Sequence, residues 1–135
     1  MSASPAYLLD SSACIPILRN QTGLGKLPSP AKTGIPVIVA AELWTGIKKN
    51  LATHPQQAAK LQAFLSMFII PEFSMDAALH YAEIRADLES IGKSIGPLDL
   101  LIAAQARSLN ATLVTGNASE FKRVKGLKVQ EWHPV

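Results

Sequence analysis

The chain has 135 residues, of which 48% are hydrophobic and 17% charged, and its formal net charge is +3 at pH 7. This length and composition predict one globular domain spanning residues 1–135 and exclude an intrinsically disordered chain. No apolar run reaches the roughly 20 residues of a membrane-spanning helix, and the N-terminus lacks the basic and apolar segments of a secretion signal, so we expect a cytoplasmic protein without a membrane partner.

The first half of the chain is predicted to alternate short buried strands with helices. A strand is expected at 7–9, followed by a short apolar helix that contains the lone Cys14, which we interpret as a buried packing residue. Residues 20–34 have the glycine and proline content of a loop. The β-branched run 35–40 predicts a second buried strand, which leads directly into a helix over 41–49.

The second half of the chain continues this alternation with longer helices. Amphipathic spacing, a serine at one helix start and a proline at the first position of another mark the helices. The predicted elements are helices over 55–68, 74–88, 97–109 and 118–124 and strands over 111–115 and 127–132. Strands that alternate with helices predict an α/β fold with a mainly parallel sheet.

Three acidic residues lie in apolar surroundings. Asp10 follows the first strand, Glu42 follows the predicted second strand, and Asp99 lies in the first turn of a helix. Because sites in parallel sheets form beyond the C-terminal strand ends, we expect these acids to converge there with Asn117, which follows the strand at 111–115. Converging carboxylates repel one another unless a cation separates them. The pattern therefore predicts a divalent metal site, and a carboxylate set without nearby histidine favours Mg²⁺ or Mn²⁺ over zinc.

Each of these residues also has a purely structural interpretation. Asp10 is a possible turn former, Glu42 a possible exposed helix residue, and Asp99 a possible helix N-terminal anion. Asn117 is equally well interpreted as a turn residue that tolerates positive φ.

Near the C-terminus, four basic residues fall within seven positions: Lys122, Arg123, Lys125 and Lys128. Such a segment suits the phosphate backbone of a nucleic acid, and a solvated surface turn is the alternative. The remaining ionisable residues of note are interpreted as surface residues: His54, His80, His133, Arg85 and Arg107.

Four short segments resemble, in order, the PIN domain, and specifically the VapC-like toxins of bacterial and archaeal toxin–antitoxin pairs. They are LLDSS at 8–12, AELWTG at 41–46, GPLDLLIAA at 96–104 and LVTGNASEF at 113–121. The resemblance extends over nearly the whole chain. It implies a three-layer α/β/α fold around a mainly parallel sheet, and an Mg²⁺-dependent endoribonuclease that acts as a toxin on RNA, with transfer RNA as one candidate substrate.

The resemblance also implies the site residues. Asp10, Glu42 and Asp99 match the three acidic positions of the family. A fourth position, often Asp in the family, matches Asn117, and Glu120 is the candidate to replace it. The family often has Thr-Asn after its first Asp, so the resemblance implies a supporting role for the hydroxyl of Ser11 and less for Ser12, which lacks the amide.

Regulation by a partner is a further implication of the resemblance. It implies a small antitoxin that wraps apolar grooves near Trp44, Leu61 and Phe64 and places an Arg or Lys against the acidic residues, and it implies a homodimer. The alternative function is an RNA-binding PIN-like module that has lost catalysis, motivated by the neutral Asn117. A phosphoaspartate phosphatase requires a second acid where Ser12 stands, and no glycine-rich phosphate loop is present to bind a nucleotide.

Overall fold

The computed structural model describes residues 4–50 and 52–134. Four strands and six helices follow one another along the chain, with two single 3₁₀ turns before the second strand. They are β1 (Tyr7–Leu9), α1 (Ser11–Leu18), β2 (Thr33–Gly34), α2 (Val37–Lys49), α3 (Gln57–Leu65), α4 (Met75–Ser90), α5 (Pro97–Ser108), β3 (Thr112–Thr115), α6 (Ala118–Phe121) and β4 (Lys128–Glu131). None of the described helices is long and apolar enough to cross a membrane.

The four strands form one parallel sheet in the order β2-β1-β3-β4. In the central strands, Leu8 pairs with Leu113 and Leu9 pairs with Val114, and all four side chains are fully buried. Successive side chains of a strand point to opposite faces of the sheet, so both faces are covered. The predicted three-layer α/β/α architecture with a parallel sheet is therefore confirmed.

The prediction of a second strand over 35–40 is wrong. Only Thr33–Gly34 pairs with β1, and Pro36 (φ −58°, ψ 145°) precedes a helix that begins at Val37. The β-branched residues packed in α2 illustrate how tertiary packing overrides a local strand preference: Val39 lies fully buried on one face, while Val37 is half exposed. As a consequence, Glu42 lies in the second turn of a helix and not beyond a strand end.

Other boundaries agree with the sequence to within two residues, except at α3 and α6, which are shorter than the predicted helices over 55–68 and 118–124. Ser74 caps α4 by accepting a hydrogen bond from the backbone N–H of Ala77 at 3.1 Å, and Pro97 begins α5, as expected from their positions in the sequence. Cys14 is fully buried in α1, in agreement with a packing role, and burial followed by the nearby charge of Asp10 raises the pKa of its thiol.

Candidate active site

Asp10 occupies the C-terminal end of β1 and begins α1. Its backbone N–H donates to the carbonyl of Val114 (3.3 Å), and its Oδ1 accepts from the N–H of Ala13 (3.2 Å), so it serves as the N-cap of the helix. The residue is only 5% exposed. A carboxylate at a helix N-terminus is stabilised by the unpaired N–H groups and the dipole there, which explains how this charge is accommodated in the core.

Two hydroxyl groups hold both oxygens of Asp10. Ser12 Oγ donates to Oδ1 at 2.5 Å, and Thr115 Oγ1 donates to Oδ2 at 2.5 Å. The backbone N–H of Gly116 in turn donates to Ser12 Oγ (2.8 Å), and that of Asn117 donates to Thr115 Oγ1 (2.9 Å). The carboxylate is thereby fixed in one orientation by the loop that follows β3.

This network corrects the expectation for the residues after Asp10. Ser12, expected to offer less than an amide, joins the ends of β1 and β3, while Ser11 makes no side-chain hydrogen bond to the acidic residues in the described ranges. Thr115 was missed altogether. Its signal in the sequence is the hydroxyl at the C-terminal end of the strand Thr112–Thr115, where a buried polar group requires a partner.

Glu42 reaches the same place from α2. Its pKa is raised by burial first, then by the negative charges of Asp99 and Asp10. Its Oε1 atom is buried and has no hydrogen-bond partner among the described residues. A buried carboxylate oxygen without a donor is costly, so this atom is the one in the cluster that most requires a cation or a proton donor.

Asp99, Asn117 and Glu120 complete the cluster. The pKa of Asp99 is raised by burial, then by the charges of Glu120 and Asp10 and by a hydrogen bond with Glu120. Asn117 Nδ2 donates to Glu120 Oε2 at 2.9 Å, and its φ of −117° shows that the positive-φ turn interpretation is wrong. Asn117 therefore orients Glu120, and Glu120 brings the fourth carboxylate to Asp99.

The donor set of this cluster fits a hard divalent cation. Four carboxylates from β1, α2, α5 and α6 act on one another electrostatically, and one of their oxygens is buried without a partner. Oxygen ligands of this kind suit Mg²⁺ and Mn²⁺. In the ranges that the structure describes, no three Asp, Glu, His or Cys side chains lie close enough together to hold a metal ion between them. The carboxylates interact electrostatically, and their mutual repulsion opposes a closer approach when no cation lies between them.

The other predicted residues lie outside this cluster. Arg107 is not an exposed helix charge: its side chain is 16% exposed and donates to His80 Nδ1 (2.8 Å), the carbonyl of Lys125 (3.0 Å) and Glu83 Oε1 (3.2 Å). His80, which was also predicted to be a surface residue, is held between α4 and α5 by the guanidinium of Arg107. Arg85 pairs with Glu89 on the exposed face of α4, as predicted; His54 and His133 are exposed.

The basic segment near the C-terminus is exposed but partly engaged. Lys125 Nζ lies 3.9 Å from Asp87 Oδ1, and Arg123 Nη1 donates to the carbonyl of Ser94 at 3.2 Å. Lys122 and Lys128 are exposed. Two of the four charges are therefore directed toward α4 and the loop after it, and phosphate binding by this segment stays a prediction.

The raised pKa values predict an unusual dependence of stability on pH. Glu42 and Asp99 hold protons more tightly when folded than when unfolded. Their stabilising contribution is therefore complete below their unfolded values near 4 and is lost as the pH rises through the folded values. In EDTA, Asp99→Asn is expected to raise the free energy of unfolding at pH 7 and to change it little at pH 4, measured by urea denaturation. A gain that is equal at both pH values would contradict this.

Comparisons with known proteins show which family this chain resembles. The PIN domain family model matches residues 7–127. "Ribonuclease VapC2" of Rickettsia felis is 38% identical over 131 residues, which cover 93% of this chain and 97% of that protein. "tRNA(fMet)-specific endonuclease VapC" of Salmonella typhimurium is 31% identical over 129 residues, with the same coverage.

Solved structures agree with the sequence comparisons. The VapBC2 structure from Rickettsia felis, bound to a promoter DNA fragment, matches with a TM-score of 0.81 and 35% identity, covering 94% of this chain and 98% of that chain. The DNA-bound VapBC structure from Salmonella typhimurium matches with a TM-score of 0.85 and 29% identity, covering 96% and 99%. The fold of this chain thus matches that of solved VapBC structures over nearly its whole length.

Proposed function

The chain belongs to the PIN-domain family, and on this premise we propose that it is a metal-dependent endoribonuclease and the toxin of a toxin–antitoxin pair. The observation that carries the proposal is the cluster of Asp10, Glu42, Asp99 and Glu120 at the C-terminal edge of the parallel sheet, with Glu42 Oε1 buried and unpartnered. The relatives that this chain matches over almost their whole length are named as a ribonuclease and an endonuclease.

The residues have distinct roles in this proposal. Asp10, Glu42 and Asp99 would hold Mg²⁺ or Mn²⁺, and Glu120 supplies the fourth carboxylate. Such an ion neutralises charge on the phosphoryl oxygens and activates a water molecule for phosphodiester hydrolysis. Ser12 and Thr115 keep Asp10 in the orientation that ligand binding requires.

The fourth carboxylate also bears on the alternative function. An RNA-binding module without catalysis was motivated by the neutral Asn117 at a position that is often acidic in the family. Because Asn117 directs Glu120 toward Asp99, the cluster retains four carboxylates. The arrangement of these side chains therefore favours hydrolysis of RNA over binding alone.

The partner and the substrate follow from the relatives. Several similar structures are VapBC complexes, so we assign this chain a small antitoxin that places an Arg or Lys against the carboxylates. The Salmonella relative is named as a tRNA(fMet)-specific endonuclease, and we propose transfer RNA as the substrate class here. A homodimer stays a prediction.

The proposal is tested by incubating the purified chain with bulk transfer RNA. Cleavage is expected with Mg²⁺ or Mn²⁺, to be abolished by excess EDTA and restored by adding either ion back, because the carboxylates alone cannot neutralise the phosphate. Gel electrophoresis of the RNA gives the readout. Undiminished cleavage in EDTA would exclude metal dependence. RNA binding without cleavage in either ion would instead support the binding-module alternative.

A further inference from the structure

Charge is distributed unevenly along this chain. In the first 71 residues, Asp10 and Glu42 are the only acidic residues, and both belong to the candidate active site. The same stretch contains six basic residues: Arg19, Lys26, Lys32, Lys48, Lys49 and Lys60. Within the ranges 4–50 and 52–134, none of the six forms an ion pair, whereas Arg85, Arg107 and Lys125 in the second half do. Four of the six, Arg19, Lys48, Lys49 and Lys60, lie in or directly after α1, α2 and α3, three helices whose only acidic residue is Glu42.

A cavity of about 200 Å³ opens between α1, α2 and the start of α3. Its apolar walls come from α1 and α2: Ile15, Leu18, Leu43 and Ile47. Glu42 lines the same cavity. The cavity therefore adjoins the active site directly, and whatever fills it is positioned beside the carboxylates.

The remaining lining of the cavity is polar and cationic. Arg19 lines it from the end of α1, and Asn50 and Gln57 line it as well, with Asn50 Nδ2 donating to the carbonyl of Gly46 at 2.9 Å. Lys60 lies one turn after Gln57 on α3 and donates to the carbonyl of Leu18 (2.6 Å), which keeps its charge next to Arg19. Lys49, exposed on α2, flanks the lining residues Gly46 and Asn50. Two amide-bearing residues thus line a cavity that has basic residues beside it.

On the basis of the proposed function, we infer that this cavity receives one unpaired base of the RNA substrate while Arg19 and Lys49 bind the adjoining phosphates. The volume is below the roughly 300–1,000 Å³ of sites for drug-sized ligands, so it suits a single ring. Base recognition in unpaired RNA typically combines an apolar contact with hydrogen bonds to the base edge. The substrate would then be fixed on the α1–α3 side, next to the bond to be cut.

The charge of the rim distinguishes this occupant from the main alternative, an apolar side chain of a protein partner. An apolar side chain needs the walls but gains nothing from Arg19 and Lys49, whereas a nucleotide uses both. Lys60 has a structural role as well, because it caps the C-terminal end of α1. It is therefore left unchanged in the test.

The first variant is Gly46→Leu. A Cβ built at Gly46 meets no atom within 4 Å, and the residue lines the cavity from within α2. Leucine favours a helix over glycine, so the thermal midpoint is expected to stay equal or rise while the cavity is filled. We expect the Kd for a fluorescein-labelled single-stranded RNA, measured by anisotropy in the Asp10→Asn background, to increase about fivefold or more, as when one base contact is lost. Gly46→Ala is the matched control and should bind more tightly than Gly46→Leu.

The second variant is the double substitution Arg19→Gln and Lys49→Gln. Loss of two phosphate contacts is expected to weaken binding and to lower the slope of log Kd against log salt concentration by about 1.4. The control with the same change in net charge is Lys32→Gln with Lys93→Gln. Lys32 lies directly before β2, at the N-terminal end of the strands and so opposite the active site. Lys93 lies in the turn after α4.

The outcomes separate this inference from the proposed function. Equal RNA affinity and equal salt slopes for both double variants would overturn the inference while leaving metal-dependent cleavage by the unsubstituted chain intact. Normal RNA binding by Gly46→Leu together with loss of its complex with the co-expressed antitoxin would assign the cavity to the protein partner, which also overturns it. Failure of the unsubstituted chain to bind or cleave RNA would overturn both proposals.

Discussion

RNA cleavage is expected to fall by more than about a hundredfold when Asp10 or Asp99 is replaced by Asn, with the fold retained. Even the partners of metal ligands typically contribute 10–100-fold to activity, and these carboxylates are proposed as ligands themselves. Asp99→Asn removes a negative charge that raises the pKa of Glu42, and asparagine at position 10 can still accept from the N–H of Ala13 as the N-cap of α1, so we expect the fold to be retained. Initial rates on transfer RNA at saturating Mg²⁺, with circular dichroism as the fold check, measure the effect.

Matched variants make this expectation specific. Asp76→Asn changes an exposed acid in the first turn of α4 and should leave the rate nearly unchanged. Glu120→Gln should lower the rate. Adding Asn117→Asp to this variant should not restore the rate. Restoration would show that position 117 itself binds the ion. If Asp10→Asn or Asp99→Asn retained a rate near that of the unsubstituted chain, the carboxylate cluster would not be the catalytic centre.

Much of the fold could be predicted because several local signals agree with the tertiary structure. Ser74 and Pro97 mark helix starts by their capping and φ preferences, and the short, mostly apolar segments at 7–9 and 111–115 are typical of buried strands. Residues 35–40 misled because β-branched residues favour a strand only where a neighbouring strand is available to pair. Here the strand that pairs with β1 ends at Gly34. Gly34 itself has no room for a side chain, because a Cβ there would lie 2.8 Å from Leu8 Cδ2.

The candidate site was predictable to the extent that charge in apolar sequence is conspicuous. Asp10, Glu42 and Asp99 were conspicuous for that reason, and the structure brings their charges within electrostatic reach of one another. Ser12 and Thr115 were not, because a hydroxyl is common in turns and at strand ends. Their importance depends on a contact between residues more than 100 positions apart, which no local pattern encodes.

The partner's groove was the least predictable part of the site. Trp44, Leu61 and Phe64 were expected to line it, but Leu61 and Phe64 are buried in the core, and of the three only Trp44 is partly exposed. Amphipathic spacing identifies the apolar face of a helix without specifying whether that face packs inside the domain or against another chain.

Expression of this chain alone is expected to arrest the growth of a bacterial host, and co-expression of the antitoxin encoded beside it should restore growth. A ribonuclease whose carboxylates are accessible from an open cavity degrades host RNA unless it is restrained, and an Arg or Lys inserted among Asp10, Glu42 and Asp99 competes with the metal for the same oxygens.

Colony counts after induction give the readout, and Asp10→Asn expressed at the same level is the control, expected to be harmless. Normal growth with the unsubstituted chain, when the purified protein still binds RNA, would reject the toxin assignment. Arrest that persists in Asp10→Asn would instead attribute toxicity to RNA binding without cleavage.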